Sequence, residues 1–155
     1  VFPLAVVISG VINLLLALLP LLALLVVTGH PLRPAMLFLP VSIVIAAVFT
    51  LGAGLLLAPL AVFFHDIVEL VGVVLQILLF LTPIMYPMAI LPERWLWIVR
   101  FNPVRSILEV FRDPIYYGKI PPFSHLTVAV LLAITLFAVG SWAFNRTSRR
   151  ITHYL

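Results

Sequence analysis

Few side chains in this sequence are able to do acid–base, nucleophilic or metal chemistry. Of its 155 residues, five are Asp or Glu, four are His and none is Cys. The closest grouping is His65, Asp66 and Glu69, whose order is not a metal-ligand spacing such as H-E-x-x-H. Without cysteine the chain has no disulfide framework, thiolate metal site or cysteine nucleophile. We therefore predict no catalytic residue and no metal site.

Nucleotide and acyl chemistry are not predicted either. The sequence has no phosphate-binding loop of the G-x-x-x-x-G-K-[ST] type, so this chain does not hydrolyse ATP by itself. Its serines lack the context of a nucleophile elbow. An integral-membrane enzyme acting on lipid-linked sugars is the main alternative, and it would use acidic or His residues near the membrane surface. Those candidates occupy capping or ion-pair positions, which argues against this alternative: Glu93, Glu109, Asp113 and His125.

Charged residues are patterned in one segment, "NPVRSILEVFRDP". Asn102 is a good helix N-cap, Pro103 suits the first helical position, and Pro114 ends the helix at the residue before it. These start and stop signals predict a helix over 103–113.

The predicted helix is amphipathic. Arg105, Glu109 and Arg112 share one face, where Glu109 is placed to pair with both arginines. The other face is apolar and consists of Val104, Ile107, Leu108 and Phe111. This pattern indicates a helix that lies between an apolar and a polar environment.

The elements around this helix are membrane spans. The chain is 65% hydrophobic and 9% charged, which excludes a water-soluble domain. About 20 helical residues cross the hydrocarbon core of a bilayer. Four apolar runs are long enough, at about 4–28, 35–64, 66–87 and 126–144. Asp66 fits the N-cap of the third, with Glu69 near its positive end.

The region between the third and fourth spans is broken by prolines. Pro83, Pro87 and Pro92 each remove a backbone donor, and broken backbone at membrane depth is tolerated only against protein or a water-filled cavity. We predict two short re-entrant or interfacial helices here, at about 92–101 and 103–113. The fold is thus an all-α integral membrane protein with four transmembrane helices, forming one transmembrane domain over 1–155.

Five motifs, in order, resemble a known family: "VFPL", "FFHDI", "TPIMYP", "RFNPV" and "EVFRD". The sequence is similar to the membrane (permease) subunits of type-2 ABC exporters, in the branch that exports O-antigen, capsule or teichoic acid. The resemblance covers the last four of the six spans of the family, so an upstream part is expected beyond this sequence. Two positions depart from the family pattern, since His65 stands where Arg is usual and Thr82 where Ser is commoner.

The resemblance implies a membrane-channel subunit of an ATP-driven exporter of polysaccharide or lipid-linked glycan. The implied partners are a separate ATP-binding ABC subunit, which holds the ATP and Mg, a second copy of the permease, the bilayer and the glycan substrate. No cofactor is implied in this chain, and no basic stripe with interleaved aromatics indicates nucleic acid. The implied location is the bacterial cytoplasmic (inner) membrane, as a multi-pass protein. An ABC exporter of lipids or drugs, and a small channel, remain alternatives.

The resemblance also implies roles for individual residues. The ATPase subunit would contact Phe64, His65 and Asp66. A gate or substrate path would be formed by Phe80, Pro83, Tyr86, Trp95, Trp97, Asn102, Arg105, Glu109 and Arg112. The aromatic members suit stacking on sugar rings and equally suit interfacial anchoring.

The resemblance places the 64–67 link and the tail after Asn145 in the cytoplasm, with the 83–114 segment on the outer side. The positive-inside rule gives the opposite orientation, because six of the nine Lys and Arg residues lie on the outer side. Four of those six belong to the half-inserted 83–114 segment, where the rule is weakest, so we follow the resemblance.

Overall fold

The computed structural model describes residues 2–29, 33–64, 66–82 and 102–151. Every regular element within these ranges is helical, which confirms the all-α class for the described part of the chain. The five α-helices are α1 (Phe2–Val27), α2 (Leu39–Phe63), α3 (Ile67–Leu81), α4 (Pro103–Arg112) and α5 (Phe123–Ile151). A 3₁₀ helix, Pro34–Phe38, leads into α2, and a π-helical turn, Asp113–Tyr117, follows α4.

Three of the described helices are long and apolar enough to cross a membrane. They comprise Leu4–Val27, Pro34–Val62 and Phe123–Thr147, where the sequence predicts the first, second and fourth spans. The third predicted span is represented by α3, whose 15 residues extend about 22 Å, less than the hydrocarbon thickness of about 30 Å. The rest of that span, and the predicted helix at 92–101, lie outside the described residues.

Two helix starts differ from the sequence prediction. The second span does not begin as an α-helix, because Pro40 has no N–H to donate to the carbonyl of Met36, and a 3₁₀ turn precedes Leu39 instead. Asp66 precedes α3 as predicted, but its side chain makes no capping hydrogen bond. Its backbone is already helical (φ −70°, ψ −14°), whereas an N-cap residue that accepts from the first turn has an extended backbone.

Among the described helices, α2 and α5 come into direct backbone contact. A Cβ atom added to Gly52 would lie 2.5 Å from the backbone nitrogen of Phe137, and one added to Gly140 would overlap the Gly52 carbonyl. Both glycines are buried. Their missing side chains let the two backbones touch, as small residues do at helix crossings in membranes.

The two helices of this crossing run in the same direction. A buried cluster joins the early part of α2, at Ile45, to the early part of α5, at Ala129 and Ala133, and to Ile107 and Val110 of α4. Gly52, further along α2, lies against Phe137 and Gly140, further along α5. Phe64, Asp66 and the tail of α5 therefore lie at one end of the bundle, while α4 lies toward the other end.

The remaining two helices are mostly exposed in the single chain. Helix α1 packs on α2, and α3 makes its main described contact with α2 as well. Most of their large apolar side chains are open to the surroundings. A surface of this kind is stable against lipid tails or against another apolar subunit.

The glycine crossing predicts opposite results for two alanine substitutions in α2. Gly52→Ala places a methyl group against the backbone of α5, so the helices must separate, and we expect a loss of about 1–3 kcal/mol in the free energy of unfolding. Gly54→Ala, two residues further, meets open space and is expected to be neutral or slightly stabilising. Reversible unfolding in mixed micelles measures both, and equal effects would contradict the crossing.

Candidate functional site

The start of α4 is fixed by a buried pair of polar side chains. Asn102 has an extended backbone, and its Oδ1 accepts from the N–H of Val104 at 3.0 Å, which confirms the predicted N-cap. The Nδ2 of Asn102 donates to Thr82 Oγ1 at 2.9 Å, and that hydroxyl donates to the Leu78 carbonyl at 2.7 Å. Thr82 is the residue directly after α3. One hydrogen bond thus joins the residues on either side of the 83–101 segment.

The end of α4 is fixed to α2 by a serine. Ser42 is fully buried, and its Oγ donates to the carbonyl of Val110 at 2.9 Å. In a regular α-helix that carbonyl accepts from the residue four positions later, but here this residue is Pro114, which has no N–H. Ser42 therefore supplies a donor at the point where proline removes one.

The turn after α4 is tied to the loop before α2. The guanidinium of Arg33 donates through Nη1 to the Tyr117 carbonyl at 2.8 Å. Gly118 has a left-handed backbone (φ +61°), and a Cβ there would overlap the Arg33 side chain. The N–H of Lys119 closes the turn on the Asp113 carbonyl at 3.1 Å. Glycine suits position 118 because it adopts this left-handed backbone without strain and because its missing side chain leaves room for Arg33.

A charged cluster joins α4 to α5. Glu109 accepts through Oε1 from Arg105 Nε at 2.7 Å, the predicted ion pair one turn apart. Its other oxygen, Oε2, lies against Nδ1 of His125 in the first turn of α5. Helical spacing also predicts a pair between Glu109 and Arg112. In the structure the guanidinium of Arg112 lies over the ring of Tyr116, at 5.6 Å from its centroid.

These residues line an open polar cleft of about 340 Å³ between α4 and α5. Its walls are Arg105, Ser106, Glu109, Ser124, His125 and Val128. Guanidinium, carboxylate, imidazole and two hydroxyls can together donate to and accept from a hydroxyl-rich ligand. Both oxygens of Glu109 face nitrogen atoms of Arg105 and His125, an ion-pair arrangement rather than that of a free general acid or base.

Asp113 adds a second carboxyl beside this cluster. Burial raises the pKa of Asp113 above its usual range, and the negative charge of Glu109 raises it further. The positive charges of His125 and Arg112 act in the opposite direction. Among the described residues no group of three or more His, Cys, Asp and Glu side chains is placed to hold a metal ion.

A sequence model of the ABC-2 type transporter family matches residues 2–116, about three quarters of the chain. The chain belongs to the ABC-2 type transporter family. The resemblance drawn from the five motifs is thereby confirmed. The family and the three long apolar helices of the described residues establish a multi-pass protein of the bacterial inner membrane.

The chain is similar to three permeases of one kind. Two of them are O-antigen export system permease proteins RfbA of Klebsiella pneumoniae, with 26% identity over 76% of this chain and 25% over 81%. The third is the O-antigen export system permease protein RfbA of Myxococcus xanthus, with 28% identity over 97% of this chain. The aligned parts cover 45%, 49% and 58% of these relatives. The ABC-2 chain thus spans about half the length of the relatives it matches.

The structure locates some of the predicted site residues. Phe64 and Asp66 are exposed at the α2–α3 link, and Phe80 is exposed near the end of α3. Asn102, Arg105, Glu109 and Arg112 come together along α4, where Asn102 is buried and the other three are half-buried. Five predicted residues lie outside the described ranges: His65, Pro83, Tyr86, Trp95 and Trp97.

Three of the polar attachments of α4 were not predicted from the sequence. Ser42 is one polar residue in a long apolar run, Arg33 is separated from Tyr117 by 84 positions, and His125 was considered only as an enzyme candidate. A detectable signal existed for Ser42 alone, because Pro114 leaves a carbonyl of the preceding turn without a donor. The partner of that carbonyl could not be read from the sequence.

The Ser42 contact predicts different results for two serine substitutions in the ABC-2 chain. Ser42→Ala leaves the Val110 carbonyl without its hydroxyl donor, and we expect a loss of about 1–3 kcal/mol in the free energy of unfolding. Ser141→Ala is the matched control, since that hydroxyl bonds only carbonyls of its own helix, Phe137 and Ala138. It is expected to change stability by less than about 0.5 kcal/mol. Unfolding in mixed micelles compares the two, and similar losses would contradict the proline argument.

The Asn102–Thr82 bond predicts coupling between two distant positions. Asn102→Ala removes both the cap and the bond to Thr82, with an expected loss of about 2 kcal/mol in the free energy of unfolding. Asn102→Ser keeps a good capping residue and loses only the bond, so we expect about half that loss. When either asparagine substitution is combined with Thr82→Val, the double variant should lose about 1 kcal/mol less than the sum of the two single losses. Simple additivity would show that the pair is not bonded.

Proposed function

We propose that this chain is the membrane-channel portion of a subunit that exports polysaccharide or lipid-linked glycan across the cytoplasmic membrane. The observation that carries the proposal is the ABC-2 match over residues 2–116, combined with three similar proteins that are all O-antigen export permeases. Since the chain spans about half of those relatives, it supplies only part of a channel wall.

The proposed architecture has four spans and two short re-entrant helices. Helix α3 is too short to cross the hydrocarbon core alone, so residues after Leu81 would complete the third span. The Thr82–Asn102 bond supports a re-entrant excursion, because a segment that leaves and returns at one level needs its two ends close together. Helix α4 would then be the second re-entrant helix, and its attachment to α2 and α5 satisfies the backbone there.

The energy source in this proposal is a separate ATP-binding ABC subunit, which carries the ATP and Mg. Phe64, His65 and Asp66 would form its contact, as the resemblance implies. Phe64 and Asp66 are exposed at the end of the bundle that also contains the tail of α5, as a cytoplasmic docking point requires. A second copy of the permease would cover part of the exposed apolar surface of α1 and α3, giving a homodimer.

The substrate path would pass α4 and its cleft. Arg105, Glu109 and His125 offer charged donors and acceptors, and the serines of the cleft add hydroxyls, a combination that suits the hydroxyl groups of sugars. Phe80 and Tyr116 are exposed aromatic rings that are able to stack on sugar faces. The export of a lipid or drug would not require this hydroxyl-rich lining.

Association with an ATPase tests the proposal. The full-length gene product is co-expressed with the ATP-binding subunit encoded beside it, and co-purification and ATP turnover are measured. We expect a stable complex, and we expect Phe64→Ala and Asp66→Ala each to weaken association several-fold by removing an exposed contact group. Phe123→Ala is the matched control, because Phe123 is likewise exposed but lies at the opposite end of the bundle.

The outcomes separate the exporter from the alternatives. Uptake of a lipid-linked glycan into vesicles that depends on ATP and on both subunits supports the full proposal. A complex that moves lipids or drugs but no glycan would change the substrate and retain the transporter. If no ATPase associates, the ATP-driven reading is wrong for this protein.

A further inference from the structure

The last turns of α5 present an exposed pair of side chains, Trp142 and Arg146. The guanidinium of Arg146 lies over the indole ring of Trp142, at 5.2 Å from its centroid. Trp142 is 61% exposed, and Arg146, one turn later, is exposed as well. Within the described ranges Arg146 forms no ion pair with a carboxylate. The described part of the chain thus offers this cation an aromatic face and no acidic partner.

Two more arginines follow in the same helix. Arg149 and Arg150 are three and four positions beyond Arg146, so three of five consecutive residues are positively charged. Helix α5 contains no Asp or Glu. The negative end of the helix dipole favours cations in a last turn. It does not account for the exposed indole beneath the first of these arginines.

The length of the span sets the depth of this pair in the bilayer. The apolar segment Phe123–Thr147 has 25 residues and extends about 37 Å as a helix, more than the hydrocarbon thickness of about 30 Å. When the excess is shared between the two ends, Arg146 lies just outside the hydrocarbon and Trp142 just inside its edge. Indole rings anchor membrane proteins at this depth, and lipid phosphates lie at the level of the arginine.

We propose that Trp142 and Arg146, together with Arg149 and Arg150, form a binding site for the headgroup of an acidic phospholipid. A guanidinium donates two parallel hydrogen bonds to phosphate oxygens, a geometry that an ammonium group does not offer. The indole ring supplies an apolar contact for the glycerol and the first acyl carbons beside that phosphate. The inference goes beyond the proposed function and does not depend on transport.

The depth of the indole favours a lipid over a soluble protein as the occupant. Three arginines would attract any acidic surface, because their field acts on lipids and proteins alike. A soluble subunit stays outside the hydrocarbon, however, and does not reach a ring that lies inside its edge. A lipid contacts the ring with its acyl chain and the guanidinium with its phosphate at the same time.

Quenching of Trp142 fluorescence by brominated lipids measures which headgroup occupies the site. The full-length protein is reconstituted in bilayers of phosphatidylglycerol and phosphatidylcholine, with bromine on the acyl chains of one lipid or the other. The signal of Trp142 is the difference between the unsubstituted protein and Trp142→Phe. We expect the acidic lipid to associate about five- to twenty-fivefold more strongly at low salt, as one or two arginine contacts predict. Equal association of the two lipids would overturn the proposal.

Charge variants assign the preference to these arginines. Arg146→Gln should lower it about fivefold, and the joint substitution of Arg146, Arg149 and Arg150 by Gln should abolish it. Arg146→Lys keeps the charge and should retain most of the preference. Lys119→Gln is the matched control, because Lys119 is exposed toward the opposite end of the bundle, and it should change nothing. A preference that survives the triple substitution would overturn the proposal.

Binding of the ATP-binding subunit to the same variants distinguishes a lipid from a protein partner. A triple variant that loses its lipid preference and still binds the subunit supports the lipid site. A triple variant that keeps its lipid preference and binds the subunit more weakly would assign the arginines to a protein contact and overturn the proposal. The lipid measurement is decisive whether or not an ATPase associates, so its failure is distinguishable from failure of the exporter proposal.

Discussion

The close approach of α2 and α5 is the constraint on which the other contacts depend. Gly52 and Gly140 allow the two backbones to touch, and the helices run in the same direction. Toward their beginning, Ile45 of α2 and Ala129 of α5 remain buried together with Ile107 and Val110 of α4. The parallel pair thus provides a surface on which a short amphipathic helix can rest. If the crossing were looser, Ser42 and His125 would not both be within bonding distance of α4.

Prolines make α4 dependent on its neighbours. Pro103 costs nothing at the first helical position, since that N–H would have no partner in any case. Pro114 has a different effect, because it removes the donor for a carbonyl inside the helix, and Ser42 of α2 replaces it. The helix ends in a wider turn that is closed by Gly118 and Arg33. A short helix with prolines at these positions is stable only when another element supplies the missing hydrogen-bond donor.

The sequence predicts local features well and contacts between distant residues poorly. Apolar runs of sufficient length located three helices, and the Asn102–Pro103 pair located the start of α4, because length and capping act over a few residues. The Arg105–Glu109 pair followed from helical spacing for the same reason. The sequence did not reveal that Glu109 also faces His125, because this requires the packing of α5. A local signal also fails at Asp66. Its residue type is suitable for a helix N-cap, but its backbone does not have the geometry of a cap.

The attachments of α4 come from different elements, and this has a mechanical consequence. Thr82 at the end of α3 holds its beginning, Ser42 of α2 holds its final turn, and His125 of α5 contacts its polar face. Helix α3 begins next to the exposed residues Phe64 and Asp66 and ends just before Thr82, so it connects this end of the bundle to α4. In the proposed exporter, a displacement applied to the α2–α3 link by an ATPase would reach α4 through one rigid helix and one hydrogen bond. The Ser42 bond to α2 and the Glu109–His125 contact with α5 would oppose that displacement.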